Sequence, residues 1–163
     1  MARARAQINT AALAAAFADG GLHGTSIDRV VAAAGVARPT LYARGGDKDE
    51  LFALAVEAEV ERLIERFEGG VGQIAAALDE YVELDPGARL LLVTARVGAS
   101  ERVERSLRRI SLALTSAVGD EEVAAVLLGG AYAALHGGPS VARLARLLPS
   151  RAQSGPPAGI WTA

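Results

Sequence analysis

The chain has 163 residues, enough for one sizeable core or for a small head on a larger body, and 51% of them are hydrophobic but only 4% aromatic. Such a core is built mainly from Ala, Leu and Val, which favours helices, and the absence of cysteine excludes disulfides and thiolate metal sites. The net charge of −2 argues against a generally basic nucleic-acid binder.

The N-terminus carries two arginines before an alanine-rich stretch, an order that is also found in secretory signal peptides. That stretch is only weakly apolar, however, and it continues directly into the helical pattern described below. The sequence has no run of about 18 apolar residues, the length that spans a bilayer. We therefore expect a cytoplasmic protein with no membrane partner.

The charges are distributed unevenly along the chain. Residues 1–48 carry six basic and three acidic side chains, net +3, whereas the remainder carries eleven basic and sixteen acidic side chains, net −5. A basic N-terminal part (residues 1–48, here called the head) on an acidic remainder is expected when only the head contacts phosphate. Arg3 and Arg5 lie on an N-terminal arm that either reaches DNA or is simply solvated.

A first helix is predicted over residues 6–19, where Ile8, Leu13 and Phe17 recur among alanines. Two glycines end this pattern. His23 follows in a predicted loop and has no other metal-ligating residue near it in sequence, so we do not expect it to bind a metal.

The stretch from Thr25 to Leu51 is predicted to form two short helices joined by a tight turn. Thr25 with Asp28 matches a capping box at the start of the first helix, and Gly35 supplies a left-handed residue at its end. Pro39 lies in the first turn of the second helix, which needs no amide from it. This order predicts a helix-turn-helix, whose second helix is suited to the DNA major groove.

A third helix is predicted to begin at Asp47, where Glu50 completes another capping box. Lys48 in its first turn opposes the helix dipole, which favours a phosphate contact, although a solvated surface lysine is an equally open interpretation. The side chains predicted to contact DNA are Thr25, Ser26, Arg38, Pro39, Thr40, Tyr42, Arg44 and Lys48.

Several motifs stand at fixed spacing in the first third of the chain, namely Phe17, Gly21, Thr25-Ser26, Ala33-Ala34-Gly35-Val36, Thr40-Leu41-Tyr42 and Lys48-Asp49-Glu50-Leu51-Phe52. In this order they resemble the N-terminal domain of the TetR (tetracycline-repressor-like) family of bacterial transcription regulators. The resemblance implies DNA binding by the helix-turn-helix and a homodimer formed by the last two helices. The remainder of the chain carries no comparable signature.

One short segment departs from the family pattern. After the tyrosine the family usually has His-Phe, whose phenyl ring fixes the recognition helix, whereas this chain has Arg44-Gly45 followed by Gly46. Two glycines add backbone freedom, which favours a less rigidly held recognition helix and leaves the geometry of Arg44 and Lys48 less defined.

The rest of the chain is predicted to be helical, with glycine, aspartate or proline between the segments. The helices are expected over residues 47–67, 73–84, 88–97, 100–118, 120–136 and 140–148. We predict a helix-turn-helix DNA-binding domain over residues 1–50, a helical ligand-binding and dimerisation domain over 51–148, and a flexible tail over 149–163.

The last two predicted helices carry more apolar surface than one small domain needs. A helix that is apolar all round is either central to a core or buried by a partner. Two such helices from each subunit would form the four-helix bundle that the resemblance implies, while a core helix within a monomer is the alternative. The predicted homodimer interface comprises Val126, Leu127, Leu128, Ala131, Leu135, Val141, Leu144 and Leu148.

The sequence contains no arrangement typical of an enzyme. The two histidines are far apart, and the glycine-rich stretches lack the context of a phosphate loop. We therefore expect no catalytic residue, no cofactor and no metal. Polar residues within apolar helices could line an effector pocket, although each alone is more typical of a satisfied core position: Tyr81, Thr94, Arg96, Tyr132 and His136.

The sequence thus predicts an all-α, homodimeric TetR-like regulator, with an N-terminal three-helix helix-turn-helix domain followed by a helical effector and dimerisation domain. Its expected partners are a double-stranded DNA operator and a small apolar or amphipathic ligand that releases a repressor. The alternative is a TetR-like fold that has lost DNA binding and serves as a ligand-binding or interaction protein.

Overall fold

The computed structural model describes residues 8–94 and 100–148, without the side chains of Arg44, Gly45, Leu92 and Val93. Four predicted features therefore lie outside the described residues: the arm with Arg3 and Arg5, the Arg44 side chain, Arg96, and the tail over 149–163. Every regular element in the described ranges is a helix, which confirms the all-α prediction.

Ten helices succeed one another in these ranges. Their bounds are α1 Thr10–Phe17, α2 Gly21–Gly24, α3 Ile27–Ala34, α4 Arg38–Gly45, α5 Lys48–Ile64, α6 Val71–Leu84, α7 Pro86–Thr94, α8 Glu101–Val118, α9 Glu121–Leu135 and α10 Val141–Ala145.

Asn9 fixes the start of α1, because its side-chain oxygen accepts a hydrogen bond from the Ala12 amide at 3.0 Å. The helix predicted over residues 6–19 therefore begins later, at Thr10. The short helix α2 follows, where the sequence indicated only a loop around His23.

The described chain forms two compact units. The described residues of one unit lie within 8–60 and 86–106, and those of the other lie within 61–85 and 107–148. Each unit is thus assembled from two separate stretches of sequence, and α7 belongs to the same unit as the helix-turn-helix.

In the first unit, α1 packs against α3 and α7. Leu13 and Phe17 of α1 are fully buried, and the Phe17 ring meets Phe52 of α5 edge to face, with centroids 5.1 Å apart and planes at 88°. This geometry is favourable for an aromatic pair. It attaches α5 to the base of the helix-turn-helix.

A buried carboxylate lies against the start of α7 in the same unit. Glu59 of α5 is fully buried, and a side chain at Gly87 would overlap its carboxyl group. The Asp85-Pro86-Gly87 segment, predicted only to stop the preceding helix, therefore also opens α7, where proline suits the first position and glycine admits Glu59.

In the second unit, α6, α9 and α10 pack together. The Asp79 carboxylate of α6 accepts hydrogen bonds from the amides of Val141 and Ala142 at 2.6 and 2.9 Å, so it satisfies the first turn of α10. A Cβ at Gly130 of α9 would lie 2.8 Å from a methyl carbon of Leu144, so the glycine allows α9 and α10 to approach closely.

Candidate nucleic-acid interface

The helix-turn-helix consists of α3, a turn at Gly35 and α4. Gly35 has φ 66° and ψ 21°, the left-handed conformation that the sequence predicted for it. Val30 and Ala34 of α3 and Leu41 of α4 are buried, so each helix is anchored on its inner face. Pro39 lies in the first turn of α4, as predicted.

The start of α3 differs by one residue from the prediction. Ser26 is the N-cap, and its hydroxyl accepts a hydrogen bond from the Arg29 amide at 3.3 Å, so the capping box assigned to Thr25 and Asp28 is wrong. Thr25 is only 2% exposed and donates its hydroxyl hydrogen to the carbonyl of Ala16, 3.5 Å away. Thr25 therefore faces the core and Ser26 faces solvent.

The start of α5 has the predicted capping box. The Glu50 amide donates to the Asp47 carboxylate at 2.9 Å, and the Asp47 amide donates to the Glu50 carboxylate at 3.2 Å. Gly46 ends α4 at φ 72°, and a side chain there would overlap the Glu50 carboxylate. The second glycine of the departure from the family pattern is therefore required by this turn, and Lys48 follows it as the first residue of α5.

Most predicted DNA contacts lie along α4 or at the starts of α3 and α5. Ser26, Arg38 and Pro39 are exposed, Tyr42 is 43% exposed, and Thr40 and Lys48 are half-buried. The set offers hydroxyl and cationic donors, which are the groups that bind phosphate oxygens and base edges. Thr25, in contrast, is buried, and its hydroxyl is bonded to the Ala16 carbonyl.

Two ion-paired clusters in the head were missed by the sequence analysis. The Arg38 guanidinium contacts the Asp28 carboxylate directly. Asp19, at the end of α1, lies 3.3 Å from Arg29 of α3 and 3.7 Å from Arg89 of α7. The partners in both clusters come from different helices, so no local spacing signals them.

Several arginines lie on α8, and two of them are paired with acids of α5. Within the first unit, Arg102 donates two hydrogen bonds of 2.7 Å to Glu57, and this contact raises the pKa of the Arg102 guanidinium above its ordinary value. Within the second unit, Arg109 lies 2.7 Å from Glu61. These pairs favour a structural role for the α8 arginines over a second DNA site.

The predicted effector residues are distributed between the two units. Thr94 belongs to the first unit, is buried, and donates its hydroxyl hydrogen to the Leu90 carbonyl at 2.6 Å. In the second unit, the rings of Tyr132 and His136 have centroids 4.8 Å apart, and His136 is exposed.

Tyr81, also in the second unit, is 2% exposed and lies beneath Arg66, whose guanidinium carbon is 5.5 Å from the ring centroid. Burial, aided by the charge of Asp85, raises the pKa of Tyr81 far above its ordinary value, so the phenol stays neutral. A separate groove of about 350 Å³ between α6 and α10 is lined by Val71, Gly72, Ala76, Ala142, Ala145 and Arg146. It includes none of the predicted effector residues.

The predicted dimer residues fall into two groups. Leu127, Ala131 and Val141 are buried inside the chain itself, where α6, α9 and α10 meet. Val126 is 41% exposed, while Leu128, Leu135, Leu144 and Leu148 are half-buried. Gly129 lies next to Val126 on the exposed face of α9. A side chain at this glycine would have open space around it. The second group alone therefore offers surface to a partner.

Among the described residues, no three His, Cys, Asp or Glu side chains are grouped so that they could hold a metal ion. None of the described helices combines the length and the apolarity that crossing a membrane requires.

Comparison with known protein families gives a match in the N-terminal part of the chain. Residues 10–55 match the family described as "Bacterial regulatory proteins, tetR family", a span that runs from the start of α1 into α5. No curated protein matches the chain. The matched span contains the capped helix starts, the Gly35 turn and the exposed face of α4 described above. Over residues 10–55 the chain is therefore similar to the TetR family, and this match supports a TetR-like transcription regulator.

Proposed function

We propose that this regulator is a repressor that binds a double-stranded DNA operator as a homodimer and is released by a small apolar or amphipathic ligand. The observation that carries the proposal is the exposed face formed by the starts of α3, α4 and α5, which belongs to the family-matched span. On this face we assign base reading to Arg38 and Thr40, and phosphate contacts to Ser26, Tyr42 and Lys48.

Thr25 receives a different role from the one that the sequence suggested. Because its hydroxyl is committed to the Ala16 carbonyl, we infer that it supports the start of α3 and holds Ser26 outward. Pro39 shapes the first turn of α4 and contributes apolar surface at the groove. Arg44 is also assigned to contact DNA, on the basis of the sequence alone.

A homodimer supports this function because one helix-turn-helix reads only a few base pairs, whereas two read a longer site with a fixed spacing. We assign the interface to the accessible part of the predicted set, namely Val126, Leu128, Leu135, Leu144 and Leu148. The neighbouring Gly129 would allow two copies of α9 to approach closely. Leu127, Ala131 and Val141 support this surface from beneath.

We propose residues 1–50 as the DNA-binding part, residues 51–148 as the effector and dimerisation part, and the cytoplasm as the location. Ligand binding would shift the population toward dimers whose two recognition helices no longer match successive major grooves. The alternative, a fold that has lost DNA binding, rested on Gly45 at the position where the family has phenylalanine and on the short body. The neighbouring Gly46 is accounted for by the Glu50 capping box, and no contact of the described residues favours the alternative.

The direct test is fluorescence anisotropy with a duplex from immediately upstream of the chain's own coding sequence and with a scrambled duplex, over a series of salt concentrations. Lys48→Ala should weaken binding to both duplexes alike and flatten the dependence of log K on log salt by about 0.9, the value for one lost phosphate contact. Arg105→Ala on α8 removes a cation outside the head and should leave the slope unchanged. Absence of wild-type binding to either duplex would contradict the proposal.

A further inference from the structure

The contact between Asp28 and Arg38 lies where the proposed base-reading residue enters the groove. Asp28 is in the first turn of α3, Arg38 is the first residue of α4, and an Nη2 hydrogen of Arg38 is donated to Oδ1 of Asp28. Their side chains are 83% and 48% exposed, respectively. The pair is therefore on the surface that would face DNA.

The fold does not need this pair. A solvent-exposed ion pair contributes little to stability, and α3 and α4 are already anchored by Val30, Ala34 and Leu41 in the core. An exposed acid facing DNA also repels phosphate. An acid in the first turn of α3 suits the helix dipole, but that role does not require the contact with Arg38, which is therefore open to a role in the complex with DNA.

An unpaired arginine at a groove entrance has two competing targets. Phosphate oxygens attract it irrespective of sequence, whereas the O6 and N7 atoms of guanine accept two of its hydrogen bonds only at the correct base pair. Arginine has five donors in a planar fork, so one edge can hold a carboxylate while another edge remains available to a base. A fixed carboxylate also cancels the charge that would draw the guanidinium to phosphate.

We propose that Asp28 is a specificity-determining residue: it holds the Arg38 guanidinium for base reading and keeps it from the phosphate backbone. The inference rests on the proposed DNA-binding function. It adds to that function a residue pair in the head that favours the specific DNA sequence over other sequences. It predicts that the pair lowers affinity for DNA of arbitrary sequence and raises the ratio of specific to non-specific binding.

The test is a double-mutant cycle with Asp28→Asn and Arg38→Ala. Two probes are needed: a duplex that the wild-type protein enriches from a random library, and a duplex with that sequence scrambled. Asp28→Asn should bind the scrambled duplex more tightly and steepen the slope of log K against log salt by about 0.9, because the released arginine gains one phosphate. The specific to non-specific ratio should fall by about fivefold or more, the low end of what a bidentate base contact is worth.

Controls separate this effect from bulk charge. In the Arg38→Ala background, Asp28→Asn should change neither the slope nor the ratio, and Asp49→Asn, which removes an exposed acid from the first turn of α5, should not reproduce the effect. Thermal melts establish that each variant is folded. If Asp28→Asn does not fold, Arg38→Lys serves instead, since lysine keeps the charge but loses the fork and should lower the ratio without weakening non-specific binding.

Unchanged slope and ratio in Asp28→Asn, or equal changes with and without Arg38, would overturn the inference while leaving DNA binding by the head intact. A wild-type protein that enriches no sequence and binds no duplex would overturn the proposed function, and the inference with it. A lowered ratio that depends on Arg38 supports both.

Discussion

Arg38 and Lys48 are both the first residue of a helix, where the backbone dipole disfavours a positive charge. Acidic residues lie near both side chains. Asp28 contacts Arg38, and Asp49 and Glu50 share the first turn of α5 with Lys48. A DNA phosphate at the start of α5 would be stabilised by the free amides there and by the Lys48 cation. The local cost of Lys48 is therefore understandable if its partner is an anion outside the chain, whereas Arg38 already has the Asp28 carboxylate.

Ser26 allows cap function and DNA contact to be separated. Ser26→Ala removes the side-chain acceptor for the Arg29 amide and should lower the free energy of unfolding by about 1 kcal/mol, measured by urea denaturation. Ser26→Asp keeps a capping oxygen, so its stability should stay close to that of the wild type. Its added charge should nevertheless weaken binding to every duplex, because the residue faces phosphate in our assignment. Tight DNA binding by Ser26→Asp would remove Ser26 from the contact set.

The choice between Thr25 and Ser26 also shows where sequence reasoning reaches its limit. Both hydroxyls precede α3, and either could cap it by spacing alone. The backbone of Ser26 is extended and its side chain points back to the helix, whereas Thr25 is drawn into the core beside α1. Only the packing of α1 against α3 distinguishes them.

At the scale of elements, two buried or half-buried carboxylates organise helices that are distant in sequence. Glu59 of α5 occupies the space that Gly87 leaves at the start of α7, and Asp79 of α6 binds the first two amides of α10. Helix starts leave amides without intrahelical partners, so an acceptor from another helix fixes both position and direction. The Asp79 carboxylate thus acts as a tertiary cap of α10.

Asp79→Ala tests this role. The substitution leaves the Val141 and Ala142 amides without their carboxylate and should lower the free energy of unfolding by about 1–3 kcal/mol, seen as a lower urea midpoint with an unchanged m-value. Glu80→Ala, at the exposed neighbouring position, should shift the midpoint by no more than about 0.5 kcal/mol. Equal effects of the two substitutions would show that the contact with α10 does not stabilise the unit.

Helix locations were predictable because the residues that start and end each helix act locally. Gly35, Pro39 and the Asp47–Glu50 box act within a few residues, and all three behave as the sequence indicated. The Asp79 cap was not predictable, because its carboxylate and the amides of α10 are more than 60 residues apart. The Asp28–Arg38 pair was missed for the same reason: it exists only once the turn has brought α3 beside α4.

At the scale of the whole molecule, α9 and α10 serve two purposes. One face of α9, with Leu127 and Ala131, closes the core of the second unit, while the other face exposes Val126 beside Gly129. Apolar residues around the full circumference of α9 do not indicate which side the chain itself covers, so from sequence both faces were predicted to form one interface. The accessible face is the one that a second copy could bury.

Val126→Glu tests the proposed homodimer without disturbing the core. In a two-fold symmetric interface it would bury one unpaired carboxylate from each subunit, at a cost of several kcal/mol, so the variant should sediment as a monomer and lose operator binding. Leu84→Glu, at a position on α6 that is 73% exposed, should remain dimeric and bind as the wild type does. A wild-type chain that is monomeric at micromolar concentration would contradict the dimer, and a dimeric Val126→Glu would place the interface elsewhere.

Selection from a library of random duplexes, read by sequencing, tests the central claim most directly. The account predicts that the wild-type chain enriches an inverted repeat whose half-sites are about one helical turn, or a multiple of it, apart. It also predicts that Arg38→Ala relaxes one base-pair preference in each half-site, worth about 1–3 kcal/mol, without erasing the motif. An unenriched wild-type pool, indistinguishable from that of a variant with both Arg38→Ala and Lys48→Ala, would contradict the account of this chain as a DNA-reading regulator.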